Sequence, residues 1–306
     1  MGNVLLRALA LVSVIFLAMY LHHIKFLSDE AGTVTKKILM YITLPCTIIT
    51  NFSKTSFLDY SMLILIFLGI STNAIMIIIG ALITKNKSSC ETAIFMNCLP
   101  AYNIGAFCLP YIQSFLPTIG SITACMFDAG NSIMCTGGTY AITAEYLSDK
   151  NTKFNPLAFL KRIVSSAPLM TYLFMIILSL LRIKIPTEVI TFLSPATSAN
   201  TFIAMFMIGL LFKIEMNRSY LLGIVKIIVI RQVSSIIFAL FFHFCLPFDL
   251  IIRQTLVIIC FAPMSVVAPV FTGLCGGDEG MASAADSISI LISIVEITLL
   301  LVIMEI

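Results

Sequence analysis

Pro100-Ala101-Tyr102-Asn103-Ile104-Gly105-Ala106-Phe107-Cys108-Leu109-Pro110 interrupts an apolar run that extends from residue 92 to residue 127. Proline removes a backbone donor and clashes with the preceding turn, so a helix entering this stretch must break or kink. A second interruption, Pro263-Met264-Ser265-Val266-Val267-Ala268-Pro269, lies inside the apolar run 254–277. In hydrocarbon, backbone groups freed by such breaks are tolerated only where protein or a water-filled cavity satisfies them. The two stretches therefore point to something built between them.

Composition places them in a bilayer. Of 306 residues, 59% are hydrophobic and 11% charged, and mean hydropathy is +1.07. A soluble domain carries about 25% charged residues. Apolar runs at 60–84 and 189–212 reach the roughly 20 residues that a span requires. The pattern predicts an all-α polytopic membrane protein with ten transmembrane helices, at 3–22, 34–53, 60–84, 91–115, 120–145, 158–182, 189–212, 219–245, 253–275 and 281–304. The first apolar run is too long for the core of a signal peptide, and no small-residue cleavage site follows it, so it reads as a mature span.

Lys and Arg are unevenly placed. Eleven lie in the loops after spans 1, 3, 5 and 7: Lys25, Lys36, Lys37, Lys85, Lys87, Lys150, Lys153, Lys161, Arg162, Lys213 and Arg218. Five (Arg7, Lys54, Arg182, Lys184 and Arg253) lie on the opposite face. The positive-inside rule then puts both termini on the non-cytoplasmic side of the cell (inner or plasma) membrane. The nine cysteines show no paired metal or redox spacing, and nearly all fall within apolar spans, where free Cys behaves as a small hydrophobe.

The chain divides into two five-helix halves, 1–151 and 152–306, with matched features in the same order. Pro45 answers to Pro195, and the first break answers to the second. Asp128 and Asp286 follow the last proline of their respective breaks by 18 and 17 residues. Because five is odd, the halves have opposite orientation, the inverted repeat found in many secondary transporters, whose sites lie at such broken helices.

A half-helix that begins inside the membrane presents unpaired N–H groups and a positive dipole end, an environment suited to an anion. Candidate substrate-binding residues are Asn103, Gly105, Pro110, Tyr111, Ser265, Pro269 and Val270, with the second half-helices expected to start near Pro110 and Pro269. The Asn103 amide can donate to a carboxylate. Arg231 is either an anion-binding fork or, more simply, the partner of Glu296 or Asp128. Asp128, Asn131, Asp286 and Glu296 are candidates for ion coupling, by H+ or Na+, with a hydrogen-bonded strut as the competing role for each aspartate. Ser283, Asp286, Ser289, Ser293 and Glu296 form one stripe at helical spacing, and Asp128, Asn131 and Cys135 another. Both stripes should face the breaks.

No P-loop, HExxH, GxSxG or zinc-knuckle pattern is present, and a net charge of +3 leaves no nucleic-acid footprint. The expectation is a carrier rather than an enzyme, with no metal or other cofactor. A channel, sensor or intramembrane enzyme is the alternative of a different class.

Asn103-Ile104-Gly105-Ala106-Phe107-Cys108-Leu109-Pro110 resembles the fourth-helix motif of the auxin efflux carrier family, and Met281-Ala282-Ser283-Ala284-Ala285-Asp286 is similar to that family's final helix. Its bacterial members are described as malate or malonate permeases. The resemblance implies a scaffold of helices 1, 2, 6 and 7, and a transport domain of helices 3–5 and 8–10. It also implies crossed helices 4 and 9, elevator-type movement of a small mono- or dicarboxylate, and a homodimer through the scaffold. A sodium-coupled symporter like the bile-acid carriers shares this architecture and is the nearest alternative.

Overall fold

The computed structural model describes residues 2–28, 30–54, 62–148, 156–212 and 220–304, and every regular element among them is helical. Lys150, Lys153, Lys213 and Arg218, and the divide at 151–152, lie outside the described residues. Among the described residues, five helices are long and apolar enough to cross a membrane: Leu6–His23, Leu63–Ile83, Thr187–Leu211, Leu221–Cys245 and Glu279–Ile303. Their outward faces are greasy. Phe192 is 84% exposed, Leu222 77% and Phe244 72%, which is the surface of a protein solvated by lipid rather than water.

Helix α1 spans Gly2–His23. Helices α2 (Ala31–Ile38) and α3 (Leu44–Ser53) are joined by a π-turn at Leu39–Thr43. The widened turn ends two residues before Pro45, which has no N–H to continue the ladder. Pro195, its counterpart in the sequence, sits inside an unbroken α11 (Thr187–Leu211), so the matched prolines have different local consequences. Helix α4 is Leu63–Ile83. Helices α5 (Ser89–Cys98) and α6 (Leu109–Phe115) flank the first break, with a π-turn at Ile104–Cys108 before α6.

The segment expected as one helix over 120–145 is α7 (Thr118–Ile133) and α8 (Thr139–Leu147), separated by a π-turn over Met134–Gly138. The pair Gly137-Gly138 sits in that turn. The segment expected over 158–182 is likewise divided, into α9 (Pro156–Ser165) and α10 (Ala167–Leu180). Pro168 in the first turn of α10 accounts for the division: Ser166 at its N-cap is extended (φ −83°, ψ 102°), and proline is at home in a first turn. Helices α12 (Leu221–Cys245), α13 (Leu250–Cys260), α14 (Ala268–Leu274) and α15 (Glu279–Ile303) complete the chain. Asp278 caps α15, its Oδ1 accepting from the Met281 amide at 2.9 Å.

Packing sorts the helices into two groups. In one, α11 runs against α1, α2 and α3, and α10 packs on α3. In the other, α4 lies on α7 and α5, α13 on α7 and α12, and α14 on α15 and α5. Helix α4 approaches α7 backbone to backbone. A Cβ on Gly69 would collide with the carbonyl of Phe127, and one on Gly130 with the carbonyl of Ile66. Small residues that let backbones touch are the usual means of holding helices together in lipid. This close contact brings α7, with Asp128 and Asn131, against the first break.

Candidate functional site

Both breaks are real interruptions, and they meet. Helix α5 stops at Cys98, before Pro100, and Ala101 adopts a left-handed backbone (φ 64°). Helix α13 stops at Cys260, and α14 resumes only at Ala268. Where the two extended pieces pass, Tyr102 and Met264 form an antiparallel β-bridge. The Asn103 amide donates to the Pro263 carbonyl at 3.0 Å, and the Ser265 amide donates to the Ala101 carbonyl at 3.1 Å. Two unwound segments thus satisfy each other's backbone, which the bilayer interior requires.

The outward-facing backbone of the bridge is satisfied by side chains. Asn131 on α7 donates through Nδ2 to the Tyr102 carbonyl at 2.8 Å and accepts the Tyr102 N–H at Oδ1, 3.0 Å. Its amide behaves as a third strand. Asn73 on α4 accepts the Ala101 N–H and donates to Asn131 Oδ1 at 3.2 Å. On the other side, Ser289 of α15 accepts the Met264 N–H at 3.0 Å and donates to the Asp286 carbonyl at 2.7 Å. Ser289 follows Asp286 by three residues, as Asn131 follows Asp128. Each break is therefore clamped by a side chain three residues beyond an aspartate.

Arg231 caps the C-terminal ends of α5 and α13, where the two helices run into the breaks. Its Nη1 donates to the carbonyls of Cys98 (3.3 Å), Leu99 and Pro100 (3.3 Å), and its Nη2 to Ala262 at 3.0 Å. The guanidinium also lies 5.3 Å from the Tyr102 ring centroid. Ser235 adds a donor to the Cys260 carbonyl at 2.6 Å. Helix C-termini leave unpaired carbonyls and a negative dipole end, and a planar cation is suited to both.

A cavity of about 770 Å³ runs up to this crossing. Lys36, Lys37 and Lys161 line one end of it; Asn103, Gly105, Asp128, Asn131 and Ser265 line the part beside the breaks. Asn103 Nδ2 is buried and makes no hydrogen bond. Asp128, 5% exposed, is held at both oxygens: Oδ1 accepts from Asn131 Nδ2 at 2.8 Å, and Oδ2 from the Tyr172 hydroxyl at 2.7 Å. Gly105 passes between that carboxylate and α3. A Cβ there would stand 2.9 Å from Leu44 Cδ2 and 3.2 Å from Asp128 Oδ2.

The remaining expected residues fall elsewhere. The helix after the first break restarts at Ile104 rather than near Pro110, so first-turn N–H groups belong to Gly105, Ala106 and Phe107. Pro110 and Tyr111 lie further along in buried packing, with Tyr111 against Phe107 at 5.4 Å between centroids. Pro269 is buried in the first turn of α14, and Val270 faces outward at 47% exposure; its neighbour Phe271 lines the cavity. Arg231 is spent on backbone carbonyls, and no ion pair joins it to Glu296 or Asp128. Glu296 instead accepts from Gln232 Nε2 at 3.1 Å. Asp286 is 9% exposed, with Oδ1 making no hydrogen bond. No group of three His, Cys, Asp or Glu among the described residues is arranged to hold a metal ion.

Asn73 and Tyr172 are additions that sequence reasoning missed. Asn73 had a signal, being the lone amide in α4, next to Ser71 and Thr72 in a helix otherwise apolar. Tyr172, one aromatic in a greasy α10, had none. Comparison with protein-family models and with curated proteins finds no match to this chain.

Proposed function

We propose that this protein is a secondary carrier for a small organic anion, a mono- or dicarboxylate, working by alternating access in the manner of the auxin efflux carriers it resembles. The observation that carries the reading is Asn103. Asn103 lines the cavity where the two broken helices meet, and its buried amide nitrogen lacks an acceptor. A substrate carboxylate supplies that acceptor, and Ser265 on the second break offers a hydroxyl beside it. Lys36, Lys37 and Lys161 give the approach a positive potential that concentrates anions.

In this reading the chain crosses the cell membrane ten times as two inverted five-helix repeats, with both termini outside and the lysine-lined end of the cavity open to the cytoplasm. The group of α1, α2–α3, α10 and α11 is the scaffold, through which two copies pair. The group holding the crossing is the moving domain. Its support is the packing pattern, in which the cavity lies between α2–α3 and α9–α10 on one side and the breaks on the other. Asp286, with a carboxylate oxygen that makes no hydrogen bond, is the stronger candidate for H+ or Na+ coupling, because both oxygens of Asp128 already accept one.

The test is uptake of a radiolabelled carboxylic-acid panel into proteoliposomes under imposed proton, sodium or voltage gradients. Saturable uptake of at least one acid, lost in Asn103→Ala, is expected. No uptake of any acid under any gradient, or sustained single-channel current steps in its place, overturns the proposal.

A further inference from the structure

We infer that Tyr172 is a positioning residue whose hydrogen bond to Asp128 latches the two helix groups together in the conformation described above. This rests on the alternating-access reading of the preceding subsection. Tyr172 belongs to α10, in the group built around α11; Asp128 belongs to α7, in the group that holds the crossing. The bond between them therefore spans the seam along which the groups must move.

That seam is mostly apolar. Leu11, Leu44, Phe107 and Leu301 belong to one buried core shared by both groups. Apolar contacts are non-directional and slide without leaving a polar group stranded. Hydrogen bonds across the seam are different. Arg7 reaches the Ser114 carbonyl at 3.1 Å, but the pair is exposed and water replaces it readily. Gln113 reaches Asn51 Oδ1 at a long 3.4 Å between neutral groups. The Tyr172–Asp128 bond is 2.7 Å, fully buried and made to a carboxylate, the strong kind of hydrogen bond.

Its geometry leaves no slack. Tyr172 is 0% exposed. Asp128 cannot swing to follow it, because Asn131 holds the other oxygen at 2.8 Å while also clamping Tyr102. Gly105 closes the remaining side, since even a methyl group there would stand 3.2 Å from Asp128 Oδ2. Any displacement of α7 along α10 by more than about an ångström takes this pair out of hydrogen-bond range. The Tyr172–Asp128–Asn131–Tyr102 chain thus ties the seam directly to the backbone of the crossing.

The experiment reads which side the cavity faces through Cys135, a native thiol that lines it. A membrane-impermeant maleimide is applied from either side to the full chain in sealed vesicles of both orientations, and modification of the Cys135 peptide is measured by mass spectrometry. Losing one hydrogen bond to a charged acceptor shifts an equilibrium about ten- to a hundredfold. Tyr172→Phe, which keeps the ring, is expected to raise Cys135 labelling from the side opposite Lys36 by about tenfold or more. Asp128→Asn, which keeps the shape and weakens the bond, should produce a smaller rise and serves if the first variant does not insert. Unchanged far-side labelling in the inserted variants overturns the latch, whatever uptake shows. A rise in labelling without uptake of any acid leaves the latch standing and removes the organic-anion cargo instead.

Discussion

The side-chain amide of Asn131 pairs with both backbone groups of Tyr102, donating to its carbonyl at 2.8 Å and accepting its N–H at 3.0 Å. One residue on α7 thereby does for the first break what a neighbouring strand does in a sheet. The other edge of Tyr102's segment is paired with residues 263–265, so the unwound backbone is satisfied on both sides.

Asn131→Ala strands two buried backbone groups, each worth about 1–3 kcal/mol when left unpaired. The expected result is a loss of about 2–6 kcal/mol, seen as a large drop in the midpoint of thermal unfolding in detergent. Asn131→Gln, which keeps the amide but lengthens the side chain, should recover little of it. Near-native stability of the alanine variant counts against the clamp.

Arg231→Met removes the donor to four carbonyls at the ends of α5 and α13. Destabilisation of about 3 kcal/mol or more is expected from the orphaned acceptors. Arg231→Lys keeps the charge but not the fork, and should fall between the two. If Arg231 instead bound substrate, the methionine variant would keep its thermal stability and lose only uptake.

Asn103→Ala and Pro110→Ala separate the cavity from the packing behind it. Asn103→Ala should reduce uptake at least tenfold with an unchanged melting profile, because the Nδ2 it removes makes no hydrogen bond within the protein. Pro110→Ala lies past the restart of the helix and should retain most uptake. Equal loss in both variants would place the anion deeper than the crossing.

Neutralising Lys37 and Lys161 to Gln should raise the half-saturating substrate concentration several-fold and flatten its dependence on ionic strength, leaving the maximal rate nearly unchanged. Uptake rates measured between about 10 mM and 300 mM salt check this, since screening shortens the reach of these charges across that range.

Gly130→Leu forces α7 away from the carbonyl of Ile66 on α4. With the backbones parted, Asn131 and Asn73 no longer reach the first break together. Loss of folded protein after solubilisation is expected, whereas Gly138→Ala, whose Cβ would stand 3.0 Å from the flexible thioether of Met134 and 3.2 Å from the Ile133 carbonyl oxygen, should cost far less.

Helix, apolar surface and the two breaks were legible in the chain because they depend on local chemistry: runs free of charge, and paired prolines close in sequence, which interrupt a helix where the single Pro195 does not. The i, i+3 relation of Asp128 to Asn131 and of Asp286 to Ser289 was legible for the same reason, since helical periodicity alone puts each pair on one face. Three-dimensional packing decided the rest. Where the helix restarts after Pro100, at Ile104 rather than near Pro110, depends on Asn131, Asn73 and residues 263–265 being present to hold residues 101–103 extended. Whether Arg231 meets a carboxylate or a carbonyl is a question of which helix ends converge on it, and nothing in the chain around residue 231 encodes that. Tyr172 became a partner of Asp128 only because α10 packs on α7, a contact between residues 44 positions apart that no local pattern announces.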